Sequence, residues 1–245
     1  GIITALTLST APAVNWHQVC IDCRDWANAV ALLLACGRSA VALQLATALE
    51  ASVLERLPGW SGPAMGQHRL LLLVAPDGIA SLKRLAADAG ADLHDLGAED
   101  LSGGNGLREL SWNHTTLHAL KVDKGFTYIQ SGFTPSKHVE QVKALEKELG
   151  GEVLMHLEFL RTKEGDFNCS GLQLIRYTTE ERLNEIMAIY RAHGVQINNP
   201  HVYIVEDGKQ NNLDPAVVKM KERFDPLGLL NPGKLRSWAS REIRT

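Results

Sequence analysis

The sequence predicts an α+β fold in which a ferredoxin-like unit, β-α-β-β-α-β, occurs twice, with antiparallel sheets and helices on one face of each sheet. Three observations predict it. Short apolar runs alternate with amphipathic helical patterns, the second half has the full strand and helix order of such a unit, and the first half follows roughly the same order. With 245 residues, 45% of them apolar, the chain can bury a sizeable core.

In the first half, apolar periodicity and the Gly and Pro positions set the expected elements. "HRLLLLVA" is apolar enough for a buried strand, and Gly90 is a helix stop signal. The predicted elements are a strand over 15–21, a helix over 23–36, an apolar run over 41–46, a helix over 48–57, a strand over 68–75 and a helix over 76–89.

The second half carries clearer signals. Thr134 and Pro135 are typical N-cap and N1 residues, and Thr178 with Glu181 forms a capping box. Gly194 ends the second helix. The predicted order is a strand over 125–133, a helix from 135 to 149, strands over 152–161 and 167–177, a helix from 179 to 193 and a short strand over 195–198.

Two segments fall outside this repeat. Residues 91–124 form a polar, Gly-rich insertion, and residues 199–245 hold a helix capped by Asp214 and Pro215, followed by "FDPLGLLNPGKLRSW". Insertions on a rigid scaffold often carry the functional residues, so we expect the site in these segments. The alternating run "GIITALTLST" looks like a strand already under way, and we expect further chain upstream of it.

Composition argues against two classes of partner. The formal net charge is −3 and like charges do not cluster, which argues against nucleic acid and anionic membranes. The longest apolar helical run, 26–36, is too short to span a bilayer. The four cysteines form no disulfide pattern, so we expect a reducing, cytoplasmic location. Cys20 and Cys23 form a C-x-x-C, which we interpret as two small apolar residues rather than a redox pair.

The stretch "SWNHTTLHALK" is the strongest local candidate for a site. In a helix, His114, Leu117, His118 and Lys121 share one face. Two imidazoles do not make a metal site without a third ligand, so we predict no metal and favour a polar face that lines a cavity, with plain surface as the alternative. "GGNG" lacks the spacing of a phosphate-binding motif and is typical of a flexible loop.

The ending "FDPLGLLNPGKL" resembles the terminal signature of the FAD-linked oxidases, the superfamily of glycolate oxidase, D-lactate dehydrogenase and vanillyl-alcohol oxidase. "GIITALTLS" resembles the last strand of that family's FAD-binding domain. The resemblance implies that residues 1–10 end that domain, that 11–198 form the duplicated ferredoxin-like cap, and that 199–245 dock on the FAD domain. FAD would be held mainly by the preceding domain of the same polypeptide, and this chain alone would be inactive.

The resemblance also implies site residues. Asn231 and Lys234 would lie near the flavin, and hydride would pass from a small alcohol or hydroxy acid to it. The proton acceptor would be a histidine, and the other polar residues of these segments would bind substrate. The candidates are His114, His118 and His201 for catalysis, and Trp112, Asn113, Thr115, Lys121 and Asn199 for substrate binding.

The sequence departs from the family pattern at three places. Trp112 lacks the arginine of the family's W-x-x-R-E stretch, which binds the substrate carboxylate. "FNCSGLQLIRY" replaces the metal-binding HxGDGNLH run, and "INNPHVYIVEDG" replaces GEHGIG and keeps only His201. These departures argue against a metal-assisted hydroxy-acid mechanism. The alternative function is a free-standing ferredoxin-like module that binds a small ligand or a protein, and exposed apolar surface predicts self-association.

Overall fold

The computed structural model describes residues 5–8, 14–39, 41–57, 66–100, 106–164, 166–208 and 213–240. The chain divides into two compact units. One unit comprises residues 14–197, and the other comprises residues 1–13 together with 198–245.

The unit 14–197 contains most of the regular structure. Its strands are β1 His17–Cys23, β2 Leu43–Leu49, β3 His68–Val74, β4 Asp92–Ala98, β5 Phe126–Tyr128, β6 Gln130–Phe133, β7 Val153–Leu154, β8 His156–Arg161, β9 Phe167–Gly171, β10 Leu174–Arg176 and β11 Gln196–Asn198, the last of which crosses the unit boundary. Its helices are α1 Trp26–Arg38, α2 Ala51–Leu54, α3 Ile79–Asp88, α4 Asn113–Val122, α5 His138–Leu149 and α6 Glu180–Ala192, with 3-10 turns at Pro76–Gly78 and Leu107–Leu110. The other unit has α7 Val205–Gly208, α8 Pro215–Phe224 and α9 Arg236–Ala239.

An eight-stranded sheet organises this unit, in the order β11-β6-β9-β8-β2-β3-β1-β4. In each half, the strands lie in the order fourth, first, third, second of their chain order, and β2 joins β8 across the middle. The pairings β1–β3, β1–β4, β2–β3, β8–β9 and β6–β9 are antiparallel. A mixed helical and antiparallel structure confirms the predicted α+β class.

One face of the sheet is covered by α1, α3, α5 and α6. Alternate strand residues point into this layer, among them Val19 and Ile21 of β1 and Phe159 of β8. Gly90 and Gly194 end α3 and α6 with φ of 62° and 72°, which a glycine adopts without strain. The predicted stop signals are therefore confirmed.

The opposite face is covered only over the first half. Cys20, Leu71 and Leu73 pack there against α2, the 3-10 turn and α4. Because β3 is covered on both faces, its run of leucines is buried throughout, as predicted for "HRLLLLVA". A small sheet, β5-β10-β7, adds Phe126, Leu154 and Leu174 to the same cluster.

Several boundaries differ from the sequence-based prediction. Residues 92–98, the start of the predicted insertion, form β4, the edge strand next to β1. The strands predicted over 125–133, 152–161 and 167–177 are each interrupted, since their two parts belong to different sheets. Residues 5–8, within the predicted strand of 1–10, belong to neither sheet.

The predicted caps also shift. The cap of α5 is Lys137 rather than Thr134, because Pro135 to Lys137 form a turn in which Ser136 has φ 65°. For α6 the cap is Thr179 rather than Thr178, and its side chain accepts the Arg182 N–H. Asp214 with Pro215 does cap α8, as predicted.

Candidate functional site

A buried carboxylate lies at the middle of the large sheet, where its two halves join. Glu158 of β8 is 1% exposed and faces the side away from the four packed helices. Its Oε2 accepts the Thr47 hydroxyl at 2.6 Å, and its Oε1 accepts the Trp112 backbone N–H at 2.5 Å. His156 Nε2 lies 2.7 Å from the same Oε1. A buried carboxylate with three partners is a well-satisfied polar centre rather than a stray charge.

The polar contacts continue from this centre to the turn before α4. Ser111 Oγ lies 2.9 Å from the Thr47 hydroxyl oxygen and donates to the Leu107 carbonyl at 3.1 Å. Thr47 and Ser111 are fully buried. The network therefore fixes the 3-10 turn and the first residue of α4 against β2 and β8.

Trp112 occupies a backbone conformation that favours glycine. Its φ and ψ are 54° and −141°, and the Ser111 carbonyl accepts the His114 N–H at 3.2 Å across it. These angles match the first central position of a type II′ turn, where a bulky residue is strained by about 1–3 kcal/mol. The indole is nevertheless 41% exposed, so the strain is not compensated by full burial of the ring. Strain of this kind concentrates at functional sites.

Helix α4 carries most of the predicted site residues. Asn113, His114 and Lys121 are exposed, and His114 Nδ1 lies 3.2 Å from the Arg108 carbonyl. His118 is half-buried, and its Nδ1 has no hydrogen-bond partner among the described residues. Thr115 is buried, and its hydroxyl donates to the Leu110 carbonyl at 2.5 Å. The helix thus presents Trp112, Asn113, His114 and Lys121 to solvent, whereas Thr115 serves the turn before it.

The remaining predicted residues lie in the other unit. Asn199 accepts the His201 backbone N–H at 3.0 Å, which makes a local turn. Asn231 has φ 48°, and its carbonyl lies 3.4 Å from the Lys234 N–H. Lys234 Nζ stands 3.6 Å from the centre of the Tyr203 ring, a cation–π contact.

A single carboxylate holds the terminal turn. Asp225 accepts the N–H groups of Leu229 and Leu230 at 2.8 and 2.9 Å, and Lys221 Nζ at 2.6 Å. The Lys221 contact, aided by the two N–H groups, holds the pKa of Asp225 below its usual value. The stiff turn predicted from its two prolines is therefore also hydrogen-bonded from within.

The C-x-x-C pair has no redox arrangement. Cys20 and Cys23 both lie in β1, where they belong to the hydrophobic clusters on opposite faces of the sheet. Burial raises the pKa of each thiol to about 12, so both stay protonated near neutral pH. In the described part of the chain, no group of three or more His, Cys, Asp or Glu side chains is placed to hold a metal.

Sequence reasoning missed Glu158, Thr47, Ser111 and His156. The one available signal was the alternation of "HLEFLR", in which Glu158 falls between two apolar residues that face the helices. Alternation assigns a residue to a face of the strand, but it does not say whether that face is covered. The loop "GGNG" is outside the described residues except for Gly106.

Comparison with known proteins shows a shared fold. No protein-family model and no curated protein matches the chain. Among solved structures, two crystal forms of alkyldihydroxyacetonephosphate synthase are similar, with TM-scores of 0.59 and 0.54 and sequence identities of 12% and 13%. They match 91% and 90% of this chain but only 45% of their own chain, so this chain spans less than half their length. Within the described residues, no helix is long and apolar enough to cross a membrane.

Proposed function

We propose that this chain is the cap portion of an FAD-dependent oxidoreductase that acts on a small alcohol or hydroxy acid. The carrying observation is the terminal "FDPLGLLNPGKL" on a chain whose fold matches, over 91% of its length, part of an enzyme of the FAD-linked oxidase family. The flavin would be bound mainly by another domain of the same polypeptide. The synthase reaction in the neighbours' name is not transferred at 12% identity.

We also infer that the large sheet consists of two ferredoxin-like units. The support is the repeated strand order in the two halves, fourth, first, third, second, with two helices from each half on the same face. On this interpretation β2 and β8, the corresponding strands of the two units, form the seam. Glu158 lies on that seam.

The terminal turn suits a role beside the flavin. Asn231 offers an exposed amide, and Lys234 offers a cation that is held over Tyr203. Such donors fit the carbonyl oxygens and ring nitrogens of a flavin, whose contribution when bound is to accept hydride. Because Asp225 already orders the turn, little conformational entropy remains to be lost on docking.

The histidines would take the proton that the reaction releases. As the alcohol carbon gives up its hydrogen with the bonding electron pair, the hydroxyl proton must pass to a base. His114 and His118 of α4, and His201 of the other unit, are the candidates, and Trp112, Asn113, Thr115, Lys121 and Asn199 are the proposed substrate contacts. We further propose a cytoplasmic location, which four unpaired cysteines favour.

The complete reading frame of the gene provides the test. The purified full-length product should be yellow, with flavin absorption that small alcohols bleach under anaerobic conditions. His114→Gln, His118→Gln and His201→Gln variants should each retain flavin, and the one that removes the base should lose bleaching. A folded, colourless full-length protein that takes up no added FAD would overturn the proposal and leave the binding module.

A further inference from the structure

We propose that an uncovered face of the large sheet binds a small, uncharged, hydroxyl-bearing molecule, and that Gly132 provides the space for it. The open face is defined by the side chains of β8, β9, β6 and β11 that point away from the helices: Glu158, Leu160, Asn168, Ser170, Gly132 and Gln196. That this molecule is the substrate rests on the proposed function. Its binding does not.

Strand register aligns these residues into a row. Glu158 is paired with Ser170, and Ser170 with Gly132. A Cβ added at Gly132 would lie 3.8 Å from the Gln196 Cβ, which places Gln196 next in the row. The row therefore runs from the buried carboxylate to exposed amide groups across four strands.

The two sides of these strands differ sharply in burial. Phe133, Phe159 and Cys169 point into the helix layer and are buried. On the open face, Asn168 and Gln196 are exposed, and Ser170 and Gly132 are half-buried. In the first half of the sheet the same side is covered by α2, the 3-10 turn and α4.

The polar groups of the open face are unused by the protein. Within the described part of the chain, the side chains of Asn168, Ser170 and Gln196 make no hydrogen bond to another protein group. A hydroxyl and two amides offer both donors and acceptors. They suit a ligand that carries hydroxyl or carbonyl oxygens.

Gly132 is not required by the fold. Its φ lies outside the left-handed region, and an added Cβ would make only ordinary contacts with Gln196. Glycine in a strand interior costs stability and often marks close approach of a ligand. Gly171, one strand over, is the contrast, because a Cβ there would overlap the Gln173 amide and the Ser131 hydroxyl. Packing therefore explains Gly171 and leaves Gly132 to be explained from outside the protein.

Charge selects the class of ligand. No lysine or arginine points to this side from the described residues of β6, β8, β9 and β11. The one charged side chain, Glu158, is buried and already has three partners. A carboxylate or phosphate would find no countercharge here and would be repelled by Glu158. A neutral alcohol is the ligand that the face fits.

The test compares propane-1,2-diol with lactate, which replaces one hydroxymethyl group by a carboxylate. Each is titrated at equal ionic strength into the ¹⁵N-labelled 245-residue chain, and amide shifts are followed by NMR. The diol should give saturable shifts at Gly132, Asn168, Ser170 and Gln196. Lactate should bind at least about tenfold more weakly.

Two variants separate binding from folding. Gly132→Val fills the proposed space and should weaken diol binding at least about tenfold, a typical effect of added methyl groups in a pocket. Its Tm should be unchanged or higher, since valine favours strands. Gly171→Ala should instead lower the Tm.

The outcomes also separate this inference from the proposed function. Diol shifts elsewhere, no saturable shift, tighter lactate binding or undiminished binding to Gly132→Val would each overturn the inference. Diol binding at this face in a protein whose full-length form takes up no flavin would support the inference and overturn the proposed function.

Discussion

Trp112 concentrates the unusual chemistry of this chain in one residue. A bulky side chain stands where glycine would be unstrained, its N–H is bound to a buried carboxylate, and its ring remains largely exposed. Ser111 and Thr47 support the same turn from below. The protein thus maintains a strained residue with a dedicated polar network, which indicates that the position of the indole matters.

The strain predicts an inverted order of two substitutions. Trp112→Gly should be more stable than Trp112→Ala by about 1 kcal/mol, because alanine keeps the unfavourable φ of 54° and glycine does not. The free energies of unfolding can be compared by urea denaturation.

Leu117 supplies the matched control, since it is exposed inside the same helix with ordinary geometry. There Ala should exceed Gly by about 1 kcal/mol, the normal helical preference. The same order at both positions would contradict the strain at Trp112.

At the scale of the element, α4 depends on a strand that is remote in sequence. Glu158 is 46 residues from Trp112, yet it holds the first N–H of the turn that starts the helix. α4 has no side-chain cap of its own. Its start is therefore determined by tertiary contact rather than by local capping residues.

Glu158→Gln should lower the free energy of unfolding by about 1–3 kcal/mol, because an amide NH₂ replaces one of two buried acceptor oxygens. The amides of Trp112 to His114 should lose protection from hydrogen exchange beyond the global change. Glu152→Gln is the control, since that carboxylate pairs with Arg182 at the surface, where an ion pair contributes about 0–1 kcal/mol. Equal effects of the two variants would refute the special role of Glu158.

The terminal turn is the second element with a single organising residue. Asp225→Asn should increase hydrogen exchange at the Leu229 and Leu230 amides, because the neutral side chain accepts less strongly and loses the Lys221 ion pair. Asp214→Asn should change little, since asparagine caps a helix as well as aspartate.

The same turn should be sensitive to acid. The folded pKa of Asp225 is below its ordinary value of 3.8, so its contribution is complete above that value and is lost as pH falls through the lower, folded pKa. The Leu229 and Leu230 amide shifts should report a transition in that acidic window. A transition near neutral pH would exclude Asp225 as its source.

At the scale of the whole molecule, exposed apolar side chains predict association. Val217, Met220 and Phe224 of α8 are exposed, as are Leu227 and Leu229 of the turn. The 245-residue chain should self-associate with rising concentration, and Leu229→Asp should shift it toward monomer in light scattering. Leu160→Asp, on the open face, is the control and should have no such effect. A monomeric wild-type chain at high concentration would disprove the prediction.

Elements with a strong local signal were predictable from sequence. The run "HRLLLLVA", the stop signals at Gly90 and Gly194 and the cap at Asp214 all depend on neighbours within one or two turns of chain. By contrast, the interrupted strands and β4 depend on which sheet edge is free, which local periodicity does not encode. The predicted histidines remain predictions, and the buried residues around Glu158 were missed because burial is a property of the fold.

The sequence alone determined the order of helices and strands, the α+β class, the apolar face of each main helix and the stiff terminal turn, since each follows from short-range backbone and side-chain preferences. Tertiary structure alone decided which half of the sheet is covered, that Glu158 is buried beneath a strained Trp112, and that Gly132 faces open space. Those features arise from strand register and from packing between segments far apart in the chain. No pattern of neighbouring residues specifies such contacts.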